Sequence, residues 1–137
     1  NAIKAERELP DAVAGVLLRA KPDQEHWIGH GLPEQLHVLY DGRTIYSPLK
    51  TDAGVNPIIF AGPDQVRASG VLWEENRKQL AYKPFVVVQS AGRGTVVGFT
   101  ADPNFRGFMD GLNVVFLNAV FRSPSGGGRG GAMEENE

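Results

Sequence analysis

The stretch RGTVVGFTADPNFRGFMDGLNVVFLNAVF, Arg93–Phe121, decides the fold, because a β-branched run passes directly into an amphipathic pattern. Asp102 can cap a helix, and Pro103 suits the first helical position, where its missing N–H has no partner in any case. Ser123-Pro124 is expected to end the helix. Three- and four-residue spacings place one apolar stripe on the sheet side of this helix, as expected for core packing: Phe105, Phe108, Met109, Leu112, Val115, Phe116 and Ala119.

Short strands dominate the chain ahead of this helix. Pro84–Ser90 and Thr95–Ala101 are predicted to form a hairpin, and Leu72–Leu80 reads as a short surface helix. Pro57 indicates an edge position or a strand start, because proline cannot donate to a central ladder. Asp41-Gly42 predicts a hairpin turn. The other predicted strands are Val13–Ala20, Gln35–Tyr40, Arg43–Ser47 and Asn56–Ala61. The fold class is therefore α/β, with a mixed sheet, few helices and a C-terminal amphipathic helix packed on that sheet.

Composition limits the possible partners. The chain has 137 residues, 14 basic and 16 acidic side chains and a formal net charge of −2. This balance gives no long-range attraction to nucleic acid or to anionic lipid, so neither is predicted as a partner. No apolar run reaches the about 18 residues that cross a bilayer, so no membrane span is predicted. The absence of cysteine excludes disulfides and thiol catalysis, and leaves the compartment open.

The two ends differ from the middle in composition. We interpret residues 1–12 as a leader, with Asn1-Ala2 as the remnant of a cleaved tag. Residues 13–122 are predicted to form one α/β domain. Residues 123–137 are Gly-rich and then acidic, and this composition predicts disorder because it cannot bury enough apolar surface. A linker or a docking peptide is the alternative for this tail.

The histidines are the first candidates for a metal site or for catalysis. His26 and His30 are four apart and could share a zinc ion on a helix, but Gly29, Gly31 and Pro33 argue against a helix there. The prediction is a turn with solvated imidazoles and no metal site, with a zinc site as the alternative. No cofactor is predicted for this segment.

Catalytic signals are weak elsewhere. Ser69 and Ser90 are isolated from histidines in sequence, and no nucleophile elbow occurs. The loop 91–94 resembles half of a phosphate loop but joins two strands, so a hairpin turn is predicted. Arg106 stands in the first turn of the predicted helix, where a cation is unfavourable. We therefore expect it to have a specific partner, such as the Asp102 carboxylate, with ligand binding as the alternative. No catalytic residue is predicted.

Several motifs carry a resemblance to a known family. His26–Pro33 (HWIGHGLP) looks like the "His-Pro-Ile, two residues, Gly-Leu-Pro" segment of class I glutamine-amidotransferase-like domains. The segments RGTVVGF (93–99), DPNFRG (102–107) and LNAVF (117–121) resemble the C-terminal region of large bacterial proteins related to zinc carboxypeptidases of the carboxypeptidase A type. Ser69-Gly70-Val71-Leu72 is similar to that family's "Ser-Gly-Trp-Leu". The resemblance covers about residues 13–122.

This resemblance implies a flavodoxin-like, amidotransferase-like module that follows a peptidase domain. Neither the peptidase's His-x-x-Glu nor the amidotransferase's Cys and His-x-Glu is found in this chain. The implied function is a non-catalytic accessory domain of a zinc carboxypeptidase-type protein. Its implied partner is the upstream catalytic domain, which would hold the zinc, and it would pack on that domain or assist substrate contact. Secretion or a periplasmic location is also implied by the family.

Two other functions remain open at this stage. One is an independent module for a small ligand or a carbohydrate, because exposed aromatic faces stack on sugars; its candidate residues are Trp27, Trp73, Tyr40 and Tyr46. The other is a cryptic hydrolase whose residues come together only in three dimensions. The candidate interaction residues of the leading hypothesis are Arg106, Asp102, Trp27 and Trp73.

Overall fold

The computed structural model describes residues 11–126. Two 3₁₀ turns, Trp27–Gly29 and Phe105–Gly107, accompany the strands and helices. The strands are β1 (Val13–Pro22), β2 (Leu36–Gly42), β3 (Val55–Phe60), β4 (Arg67–Ser69), β5 (Pro84–Ala91) and β6 (Gly94–Phe99), and the helices are α1 (Glu74–Leu80) and α2 (Asp110–Gly126). The sheet order is β2-β1-β3-β5-β6, with β4 pairing β1 off this path.

The fold is mixed α/β, and its C-terminal helix packs on the sheet, as the sequence predicts. Every strand pairing among the described residues is antiparallel. This differs from the expected mixed sheet and is unlike the parallel sheet of a flavodoxin-like module. A parallel pair needs a crossover of about a dozen residues or more, usually a helix. Here β5 and β6 are joined by Gly92-Arg93 alone, and that short connection permits only antiparallel pairing.

Most predicted strands are present. Val13–Ala20 lies in β1, Asn56–Ala61 largely coincides with β3, and the hairpin of β5 and β6 is confirmed. The hairpin register runs without interruption from Val86–Phe99 to Ala91–Gly94. The Thr100 hydroxyl donates to the Pro84 carbonyl at 2.7 Å and so fixes the end of β6 against the start of β5.

Two strand predictions are wrong. Residues 43–47 form no strand, and β2 pairs with β1 instead of with a returning strand. The Tyr40 hydroxyl donates to the Thr44 carbonyl at 2.9 Å and holds that segment as a loop. Pro57 is the third residue of β3, and β3 is an inner strand, so the edge position among its two predicted places is wrong. The pairing of β3 with β1 ends at Pro22 and Ile58, so Pro57 lies just beyond that ladder and its missing N–H breaks no hydrogen bond between paired residues. The Pro57 carbonyl accepts from the Asp23 N–H at 2.7 Å.

The helix begins later than its sequence predicts. Asp102 does not cap α2; its carboxylate accepts from the Asn104 N–H at 2.8 Å in a local turn. Arg106 then adopts φ 53°, a left-handed conformation that an α-helix cannot contain. The helix therefore starts only at Asp110.

The helix also ends later than predicted, at Gly126 instead of before Ser123-Pro124. A proline in the last turn removes one backbone hydrogen bond but need not end a helix that stops two residues later. The rest of the predicted tail, residues 127–137, and residues 1–10 of the predicted leader lie outside the described residues.

Candidate interaction surface

One face of α2 is anchored to the domain. Leu112 and Val115 are buried in the core beneath the helix. Asn118 is buried as well, and its Nδ2 donates to the carbonyls of Ile28 at 3.0 Å and His30 at 2.9 Å. Because an amide buried without partners is costly, these two bonds fix both the rotation and the position of the helix.

The turn that receives Asn118 is itself tightly built. The Nδ1 of His26 accepts from the Ile28 N–H at 3.3 Å and caps the 3₁₀ turn. Gly29 passes so close to the Asp23 carbonyl oxygen that a Cβ there would overlap it. Gly31 has φ +76°, which L-residues rarely adopt. The two glycines that argued against a helix are thus required by this turn.

The opposite face of α2 is apolar and uncovered. We define the α2 outer face as Val114, Phe116, Leu117, Val120 and Phe121. The exposed fractions of these side chains range from 37% for Val114 to 75% for Phe121. A helix that is apolar all round is normally buried on all sides, whereas α2 is covered on one side only within the described part of the chain.

The sequence prediction of a single buried stripe is therefore only partly right. Met109, Leu112, Val115 and Ala119 do belong to the inner face or its border. Phe105, Phe108 and Phe116 are exposed, and Phe108 reaches 81%. A helix with a single apolar stripe does not account for the outer face. Its signal is present in the sequence, since no charged residue occurs between Asp110 and Arg122.

The three histidines have different surroundings. His30 is exposed, and its Nδ1 lies 2.9 Å from Nη1 of Arg122. His37 is exposed on β2. Among residues 11–126, no three His, Asp or Glu side chains lie close enough together to hold a metal ion. The expectation that the chain binds no zinc stays a prediction.

A small cavity of about 190 Å³ lies beside His26 and Trp27, and Ser90 and Thr95 also line it. Burial lowers the pKa of the His26 imidazole, the Asp23 carboxylate opposes this shift, and His30 adds to it. With Nδ1 accepting a hydrogen bond, the neutral ring carries its proton on Nε2. The residues that line the cavity thus include two hydroxyl side chains and an imidazole whose charged form is disfavoured by burial.

Arg106 and Asp102 do not pair. The guanidinium of Arg106 lies 5.3 Å from the ring centroid of Phe105, and both side chains are exposed. Within the described residues no carboxylate forms an ion pair with Arg106. The predicted Asp102–Arg106 partnership is wrong because the left-handed turn at Arg106 replaces the first helical turn that would have joined them.

The aromatic candidates are scattered. Trp73 is exposed ahead of α1 and Tyr46 is exposed in the loop after β2, whereas Trp27 is half-buried. Tyr40 is buried, contrary to its place among the exposed candidates, because its side chain packs edge-on against Phe60. Burial also raises the pKa of its hydroxyl, which keeps it protonated as a donor to Thr44. Trp73, Tyr40 and Tyr46 do not line the cavity at Trp27.

Catalytic geometry is not apparent in residues 11–126. Ser90 and His26 line the same cavity, but no serine–histidine hydrogen bond is formed within this range. The loop at Gly92-Arg93 is a hairpin turn, as predicted. None of the helices in this part of the chain is both long and apolar enough to cross a bilayer.

Comparisons with known proteins identify no relative of this chain. No protein-family model matches the chain, no curated protein matches its sequence, and no solved structure matches its fold.

Proposed function

We propose that this chain is a non-catalytic docking domain whose α2 outer face packs against a folded protein domain. The observation that supports the proposal is the run of five large apolar side chains exposed on one side of a helix whose other side is fixed in the core. Apolar surface patches of this kind are typical of protein interfaces. Complete burial of one such side chain is worth about 1.5–3 kcal/mol.

The resemblance of the segments 93–99, 102–107 and 117–121 suggests the partner. It favours the catalytic domain of a zinc carboxypeptidase-type protein, joined to this chain in one polypeptide. The third segment, Leu117–Phe121, contributes three residues to the α2 outer face, so the resemblance and the apolar surface coincide there. The role of the domain is then to support the catalytic domain or its contact with substrate, and the zinc belongs to that other domain.

A binding experiment in two separate pieces tests the proposal. The coding sequence upstream is first read for a His-x-x-Glu block, and the domain that carries it is expressed separately. We expect this chain to bind that domain in a calorimetric titration. The double variant Leu117→Lys/Phe121→Lys should weaken binding at least tenfold, because it places two charges in an apolar contact.

Val71→Lys is the matched control, since Val71 is 73% exposed and lies outside α2. It should bind as the wild type does. The absence of any upstream peptidase block would remove the proposed partner. Equal binding by the double variant and the wild type would remove the proposed surface.

Small-ligand or carbohydrate binding at Trp27 is the second candidate, and the polar lining of that cavity favours it. Trp73→Phe leaves Trp27 as the single tryptophan of the chain. Its fluorescence should then respond to a titrated methyl glycoside, and Ser90→Ala/Thr95→Val should abolish the response. No response in the Trp73→Phe variant would contradict this candidate.

A further inference from the structure

The outer edge of β6 is the second uncovered feature of the molecule. β6 is the last strand in the sheet order, so one of its edges has no partner strand in the described part of the chain. Its pairing with β5 is regular from end to end, without a bulge. A regular edge exposes a row of backbone N–H and C=O groups that can pair with another strand.

The two edges of the sheet differ in how they are protected. β2, at the other edge, carries the exposed side chains of His37 and Asp41, and its pairing with β1 contains a register shift. Charges and irregularities are the devices that keep edge strands from associating. β6 (GTVVGF) contains no charge and no proline, and its Val96 is 54% exposed. It therefore lacks the protection that β2 has.

The segments 1–10 and 127–137 have compositions that do not favour pairing with this edge. Residues 127–137 contain four glycines, three glutamates and no β-branched residue. Residues 1–10 contain one β-branched residue, Ile3, and end in Pro10. A second copy of β6, by contrast, is an uncharged strand rich in β-branched residues, and it sets no like charges opposite each other.

We propose that two copies of this chain associate through their β6 strands, paired antiparallel about a two-fold axis at Val97, so that one sheet runs through both. In this register Val97 faces Val97 of the second copy, and Thr95 faces Phe99. Val97 and Phe99 pack against the core of their own domain, so these pairs lie on its inner side. Within each domain the Phe99 ring lies 6.4 Å from the ring of Phe116 on α2, so this side of β6 is already packed.

This association goes beyond the docking function, because it concerns the edge of the sheet. Its register places the larger side chains of β6 together on one face. An axis at Val96 would instead pair Thr95 with Val97 on the core side, without Phe99, and Gly98 with Gly94 on the opposite face, where two glycines have no side chains to pack. A two-fold interface of this type is self-complementary and closes as a dimer.

Sedimentation equilibrium of the intact chain over a range of concentrations tests the association. We expect a reversible dimer for the wild type, for Val71→Lys and for Leu117→Lys/Phe121→Lys. Val96→Lys should weaken dimerisation at least tenfold, because a lysine on an edge strand opposes pairing. A monomeric wild type at all concentrations, or a dimer that persists in Val96→Lys, would overturn the proposal. A dimer that is lost only in Leu117→Lys/Phe121→Lys would also overturn it. That result would not contradict the α2 outer face as a docking surface.

Cross-linking tests the register, and the chain has no native cysteine to interfere. Directly opposed residues in antiparallel strands have Cα atoms about 4.5–5.5 Å apart, within the range of a disulfide. Val97→Cys should therefore form an intermolecular disulfide under mild oxidation, and Val71→Cys should not at the same concentration. Equal cross-linking of both variants, or cross-linking of Val96→Cys in preference to Val97→Cys, would overturn the register.

Discussion

The two faces of α2 are both apolar, yet one is buried and the other is exposed. The inner face presents Leu112, Val115 and the amide of Asn118, and the outer face presents apolar side chains such as Leu117 and Phe121. Hydrophobicity alone therefore does not determine which face of α2 is buried. The choice follows from Asn118, whose two hydrogen bonds reach the turn at Ile28 and His30. Gly111 helps, since a Cβ there would lie only 3.1 Å from Cδ2 of Leu36.

The largest difference between the faces is expected for the same substitution on each side. Leu112→Ala should lower the free energy of unfolding by about 2–5 kcal/mol, because Leu112 is buried and its loss leaves a cavity. Leu117→Ala should lower it by less than about 1 kcal/mol, since that side chain is half exposed. Urea denaturation of both variants measures this. Equal losses would mean that the faces are not distinct.

Removal of the polar anchor should have the next largest effect. Asn118→Ala leaves two backbone carbonyls without their donor and should cost about 1–3 kcal/mol. Asn113→Ala is the control on the same helix, because its side chain is only half-buried. Thermal and urea unfolding should separate the two variants. A neutral Asn118→Ala would show that packing alone holds α2 in place.

Phe116 belongs to the α2 outer face, but its ring also contacts the sheet, so its truncation should have an intermediate effect. Its ring contacts Phe99 but is 40% exposed, so Phe116→Ala should cost about 1–2 kcal/mol, less than truncation of a buried ring. The sequence alone suggested a fully buried ring. A loss as large as that of Leu112→Ala would place Phe116 in the core.

The smallest effect is expected at His26, which caps the turn under the inner face of α2. It is a dependence of the stability on pH. Burial lowers the pKa of His26 below 6.5 in the folded chain. Below about pH 6.5 the unfolded chain therefore binds a proton more readily, and stability falls as the pH falls. His26→Asn keeps a capping acceptor without this titration. The stability of the wild type should drop relative to His26→Asn between about pH 7.5 and pH 5, and parallel profiles would contradict this.

Local patterns in the sequence predicted the strands well. The β5–β6 hairpin follows from two β-branched runs around Gly92-Arg93, and its register needs no distant residue. The start of α2 was missed because Asp102-Pro103 is a good helix start in isolation. In the structure the Asp102 carboxylate instead accepts from the Asn104 N–H, and Arg106 is left-handed. Both features prevent a helix from starting at Asp102. The inner position of β3 depends on pairings with β1 and β5, which periodicity does not reveal.

The candidate surface was predictable in part. The apolar character of α2 is evident in the sequence, but which residues face inward depends on Asn118 and on a turn that is distant along the chain. The same limit applies to Arg106 and Asp102, whose expected pairing assumed a helix that begins later. Tyr40 is buried and not exposed as predicted, because its hydroxyl donates to a local acceptor, the Thr44 carbonyl, and this allows the ring to be buried.

Side-chain accessibility of the α2 outer face tests the docking account most directly. Hydroxyl-radical labelling, read by mass spectrometry, would compare Phe116 and Phe121 in this chain alone and in the polypeptide that joins it to the proposed catalytic domain. We predict strong labelling of both rings in the chain alone, as their exposure requires, and strong protection in the longer polypeptide. Tyr46, exposed in a loop far from α2 in sequence, should label equally in both. Undiminished labelling of Phe121 in the longer polypeptide would contradict the account.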